Sequence, residues 1–168
     1  MKKKCVIIGA GTYGQVYAAY LKDEYEVLGF LDSNQKLFGT SILGFEVLGD
    51  IDILKNWDRS INIFVPIGKA ATRIKLLREV REMSFKTPNF IHSNVCMHDS
   101  VELGECVYIL PGTNIMPLVK IEDYVMISIG VNIAHHTILS KGVFLSQGSN
   151  IGASILVEEN AFCGIAST

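Results

Sequence analysis

From Ile91 to Cys163 every sixth residue is apolar: Ile91, Met97, Leu103, Ile109, Ile115, Ile121, Ile127, Ile133, Leu139, Leu145, Ile151, Val157 and Cys163. A second series follows four residues behind each: Val95, Val101, Val107, Thr113, Val119, Val125, Val131, Thr137, Val143, Ser149, Ile155 and Ala161. No insertion breaks the register. A period of six is a short strand plus a turn, repeated in one sense, and it predicts a parallel β-helix. Three sides would close a coil of about eighteen residues, with coils stacked about 4.8 Å apart. Both series would point into the prism. An antiparallel sheet also alternates apolar and polar positions. It would not hold one phase this long without hairpin turns such as Asn-Gly.

The first half has a different rhythm. Lys4 to Ile8 predicts a strand, Gln15 to Leu21 a helix and Glu26 to Leu31 a second strand. Gln35 to Asp50 predicts a loop or small hairpin around residues 42–47, and Ile51 to Asn56 a short helix. Ile61 to Val65 predicts a third strand, ended by Pro66-Ile67-Gly68. Ala70 to Met83 predicts a helix with Ile74, Leu77 and Val80 on its apolar face and its charges in solvent. The predicted fold is therefore a Rossmann-like α/β subdomain over residues 1–88, followed by an all-β parallel β-helix over 89–168.

Between the first strand and helix stands Gly9-Ala10-Gly11-Thr12-Tyr13-Gly14, a GxGxxG, with Asp32 about twenty residues on. The glycines allow a tight turn, the helix N-terminus favours a phosphate, and Asp32 could accept hydrogen bonds from a ribose or a base. The motif commonly signals NAD; the alternative is a nucleotide-fold scaffold that takes another ligand or none. Arg73, one turn in from Gly68, is either a phosphate contact or plain surface.

Bulk properties narrow the field. The chain has 168 residues, is 49% hydrophobic and carries a formal charge of −2, so no basic surface points to nucleic acid. Met1-Lys2-Lys3-Lys4 precedes too short an apolar run for a signal peptide, and no stretch predicts a membrane span. Cys5, Cys96, Cys106 and Cys163 lack metal-site spacing, which predicts free thiols, no metal and a cytoplasmic location.

The order of parts resembles the bacterial sugar acetyltransferases. Gly9 to Gly14, then Phe30-Leu31-Asp32-Ser33, then Ile67-Gly68 with Arg73, then the hexapeptide repeats carry the likeness. That family includes N-acetyltransferases of nucleotide-linked 4-amino sugars (bacillosamine and perosamine) and sialic-acid O-acetyltransferases. The resemblance implies a left-handed β-helix, a homotrimer, acetyl-CoA as donor and a nucleotide sugar held by the first domain in place of NAD. By position, Gly11, Thr12, Tyr13, Asp32, Ser33, Gly68 and Arg73 would line the sugar-nucleotide site. Phe144 stands where a family histidine meets the donor, and Ala153 and Ile165 where further pantetheine contacts would lie. Relatives continue for about two more coils beyond the position of Thr168.

Acetyl transfer to an amine needs a base, and histidine titrates near working pH. His135 and His136 fall second and third after the inward Ile133, so both should face outward. The resemblance puts the catalytic base at His135, with His136 where the family often has an acid. Stacking by eighteen would put Asp99, Pro117 and Ala153 in its column. His92 and His98 read as surface residues of the first coil. Leu110, Met116, Pro117, Leu118 and Ile129 lie outside the inward series and suggest a subunit interface. Four readings follow: an amino-sugar N-acetyltransferase, a sugar O-acetyltransferase, a catalytically weak nucleotide-sugar scaffold and, least supported, an NAD oxidoreductase.

Overall fold

The computed structural model describes residues 2–168. The chain divides into two compact units between Pro88 and Asn89. The first unit runs β1 (Lys3–Ile8), α1 (Thr12–Glu24), β2 (Tyr25–Leu31), β3 (Ser41–Ile42), β4 (Phe45–Gly49), β5 (Asn62–Phe64) and α2 (Ala70–Glu82), with 3₁₀ turns at Gln35–Leu37 and Ile51–Asn56. Its sheet has the order β3-β4-β2-β1-β5, parallel except for β3. Strand order reverses at β1. In open α/β sheets that is where a crevice opens at the carboxyl ends.

The apolar runs explain the sheet. Val6, Ile7, Ile8, Phe30, Leu31, Ile63 and Phe64 are all at most 5% exposed. Tyr17 and Leu21 of α1 and Leu77 and Val80 of α2 are also in the core. Two details differ from expectation. Helix α1 begins at Thr12, straight out of the glycine loop, three residues before Gln15. The expected hairpin at residues 42–47 exists, but its return strand β4 also pairs in parallel with β2. Val47, fully buried, explains why that strand joins the sheet.

In the second unit, two-residue strands recur every six residues from Phe90–Ile91 to Phe162–Cys163. They stack into three parallel sheets, each residue pairing with the one eighteen ahead: Asn114 with Asn132, Lys120 with Ile138, Met126 with Phe144. The fold is the expected left-handed parallel β-helix. Ile109, Ile115, Ile121, Ile127, Ile133, Leu139 and Leu145 fill the prism together with Val107, Val119, Val125, Val131 and Val143. The inward polar members are satisfied by corner carbonyls, as buried hydroxyls require. Thr113 Oγ1 donates to Ser128 O at 3.0 Å, Thr137 Oγ1 to Gly152 O at 2.7 Å and Ser149 Oγ to Ser146 O at 2.6 Å. Among the described residues, no helix is long and apolar enough to cross a membrane.

Candidate functional site

The glycine loop sits at the carboxyl edge of the first unit's sheet. Gly9, at φ +101°, makes the turn that L side chains rarely adopt, and its N–H donates to Leu31 O at 2.7 Å. Gly14 packs so close beneath it that an added Cβ would lie 1.8 Å from Gly9 O. Gly11 is the N-cap of α1 and no side chain caps that end. The first N–H groups of a helix have no partner within it, so an anion is favoured there.

Two cavities share Gly9 and Ile67 as a wall. One, of about 190 Å³, is lined by Gly11, Thr12, Tyr13, Gly14, Pro66 and Gly68. The other, of about 250 Å³, is lined by Asp32, Ser33, Asp50, Ile51, Thr72 and Lys75 among others. The expected residues are thus brought together in two adjoining groups. Lys75 and Asp50 were not foreseen. Asp50 became legible only with β4, because it caps the 3₁₀ turn that follows that strand.

Asp32 is already engaged. Its Oδ2 accepts from Ala10 N at 2.8 Å and its Oδ1 from Asn34 N at 2.8 Å. The carboxylate therefore holds the glycine loop in place, with lone pairs left over for a ligand. Arg73 requires a correction. It is not a surface residue: it is 0% exposed, on the buried stripe of Arg73, Leu77 and Val80, with Ile74 only half-buried. Its Nη1 donates to Ile67 O at 2.6 Å and to Gly68 O at 3.1 Å. A guanidinium so enclosed has no exposed atom to offer a phosphate. It acts on the cavities through the Ile67-Gly68 wall. The spacing 73, 77, 80 was the available signal.

In the β-helix, His135 and His136 are both exposed at a corner between two faces. Ser154 N donates to His135 O at 2.9 Å and His136 N to Pro117 O at 3.3 Å, so the expected column Pro117, His135, Ala153 is real. The rings meet Nδ1 to Nδ1 at 3.0 Å, edge-on at 89°. Exposed Met116, Leu118, Ile138 and Leu156 surround this corner or line the face beside it. The donor positions are not gathered with it. Ala153 is, but Phe144 belongs to the sheet opposite this corner and Ile165 to another corner, stacked over Gln147. Phe144 is also 2% exposed, its ring edge-on to Phe162 at 5.3 Å, so its side chain presents no surface to pantetheine. Of the expected interface positions, Met116, Leu118 and Ile129 are exposed but Leu110 is 1% exposed. His92 and His98 cap turns: their Nδ1 atoms accept from Asn94 N at 3.0 Å and Ser100 N at 3.1 Å.

Comparison with known proteins places these features. A family model described as the PglD N-terminal domain matches residues 4–80. The acetyltransferase domain of PglB from Neisseria gonorrhoeae superposes with a TM-score of 0.78 at 23% identity, covering 96% of this chain and 85% of that one. A histidine-to-asparagine mutant of perosamine N-acetyltransferase from Caulobacter crescentus, solved with CoA and GDP-perosamine, gives a TM-score of 0.81 at 22% identity, covering 97% and 86%. WeeI from Acinetobacter baumannii gives 0.56 at 19% identity, covering 96% and 94%. At these identities the shared property is the fold. The redox-sensing transcriptional repressor Rex of Clostridioides difficile is 35% identical over 65 residues, which span 37% of this chain and only 30% of that protein.

Proposed function

From a chain whose residues 4–80 match the PglD N-terminal domain and whose fold is shared with sugar acetyltransferases, we propose an acetyl-CoA-dependent acetyltransferase. Its acceptor is the amino group of a nucleotide-linked amino sugar, and His135 is the general base. The observation that carries this reading is the position of His135, exposed outside a closed apolar prism and pinned by the rung from Ser154 above, with its neighbour His136 pinned to Pro117 below. A core histidine would face inward.

The roles divide between the units. The uncapped start of α1 at Gly11, Thr12 and Tyr13 suits a diphosphate. The neighbouring cavity with Asp32, Ser33, Asp50 and Lys75 suits the nucleoside. At the β-helix corner, His135 Nε2 takes the amine proton as nitrogen attacks the thioester carbon. The N–C bond forms, the C–S bond breaks, and the proton passes to the departing thiolate. The exposed apolar side chains flanking His135 suit burial against a second copy, as in a homotrimer. The same holds for the donor, since Ile165 stands on a different corner of its own chain. The reading puts the reaction in the cytoplasm, beside its acetyl-CoA.

The test is thiol release from acetyl-CoA with a panel of UDP-, GDP- and dTDP-linked 4-amino sugars. Release that depends on one of these amines is expected. Release with sialic acid alone would move the acceptor to a hydroxyl, and no release with any acceptor would overturn the enzyme reading.

A further inference from the structure

The contact between His135 and His136 constrains where the protons sit. Two imidazole nitrogens 3.0 Å apart hold one proton between them: one ring donates and the other accepts. Two neutral rings must then be opposite tautomers. If His136 donates, His135 keeps its own proton on Nε2 and has no lone pair there for a substrate. If His135 donates from Nδ1, its Nε2 is bare and able to accept.

We propose that His136 is the positioning residue of the site. Its unprotonated Nδ1 accepts the Nδ1–H of His135 and so holds the base in its competent tautomer. This rests on the acetyl-transfer reading for its catalytic consequence, and on geometry alone for the pair itself. Three observations support it. His136 stands at φ +58°, in register with Leu118 at +62° and Ser154 at +58°, so its side chain leaves the corner in one fixed direction. Both backbones are pinned, His136 to Pro117 below and His135 to Ser154 above. Among the described residues, no carboxylate stands level with the pair on the two flanking faces. The stacked residues Pro117, Leu118, Ala153 and Ser154 carry no charge, and the outward residues of the two flanking strands are Asn132 and Ile138. The charged or titratable groups on these faces lie a coil or more below: Lys120, then Glu102, Asp99, His98 and Cys96.

When His135 takes the amine proton it becomes an imidazolium that donates from Nδ1 to a neutral acceptor. A carboxylate in place of His136 would add an attraction that the imidazole lacks. It would raise the pH below which activity is lost.

Nitrogen-15 NMR of the histidine rings in the full chain, with kinetics of three variants, tests this. His135 should carry its proton on Nδ1 and His136 on Nε2. His136→Ala should lower kcat by about ten- to a hundredfold, less than removal of the base itself, with KM for acetyl-CoA little changed. His136→Asn, which tolerates the left-handed backbone and keeps an acceptor, should restore most of the rate. His136→Glu should move the acid limb of the pH profile upward. The reverse tautomers, or a kcat unmoved by His136→Ala, would overturn the proposal. If no acceptor supports acetyl transfer, the enzyme reading falls while the ring tautomers still decide the pairing.

Discussion

Replacing Gly14 by Ala should break the first unit, although Ala is the better helix former. The added methyl would sit 1.8 Å from Gly9 O and 2.9 Å from Gly9 C, both backbone atoms. Real Cβ contacts stay beyond 3.0 Å, so the loop and helix must part by about 1.2 Å. Neither side yields easily. Gly9 N is bonded to Leu31 O at 2.7 Å, Ala10 N to Asp32 at 2.8 Å and Gln15 N to Gly11 O at 3.0 Å. Overpacking of this kind costs about 3 kcal/mol. Alanine's helix propensity returns about 1 kcal/mol, so a net loss of about 2 kcal/mol is expected. For a domain of this size that lowers Tm by about 10 °C. The assay is denaturant unfolding followed by Trp57 fluorescence. Trp57 is the chain's only tryptophan and half-buried, so it reports the first unit. Gly11→Ala is the control, since its methyl meets nothing within 4 Å. It should cost under about 1 kcal/mol, the loss of a favoured cap. A Gly14→Ala variant as stable as the parent, or a Gly11→Ala variant equally damaged, would refute the reasoning.

Two further outcomes follow. Arg73→Met keeps the volume but removes two charge-assisted bonds, and should destabilise the first unit by about 3 kcal/mol in the same fluorescence assay. It should also weaken nucleotide-sugar binding by calorimetry, through the loosened Ile67-Gly68 wall. Thiol labelling of the native protein should mark exposed Cys96 first and leave Cys5, 0% exposed, untouched until unfolding. Burial pushes the Cys5 thiol from its ordinary 9.0 up to about 12. Because the folded value is the higher one, that contribution to stability is whole below pH 9. It is lost as pH climbs toward 12, which denaturant titrations across that range would show.

The β-helix was the more legible half, and the reason is physical. Each coil needs an inward aliphatic at a fixed step, so Ile109, Ile127 and Leu145 announce the register without help from any other part of the chain. The corners were legible only in part, because glycine takes the left-handed backbone at Gly112, Gly130, Gly142 and Gly148 but Leu118, Tyr124 and His136 take it elsewhere. In the first unit the glycine motif named its own turn. Arg73 was misplaced because charge was read as exposure, while its spacing to Leu77 and Val80 put it on the buried stripe. The donor positions came from the family resemblance alone, and a three-sided coil sends Phe144 to the sheet opposite the His135 corner and Ile165 to another corner of the same chain.

The most direct measurement is thiol release from acetyl-CoA by the parent chain and by His135→Ala, with nucleotide-linked 4-amino sugars as acceptors. Turnover that depends on the amine and falls by about 10²- to 10⁴-fold in the variant, with the circular dichroism unchanged, is predicted. Equal turnover in the two proteins would contradict the account.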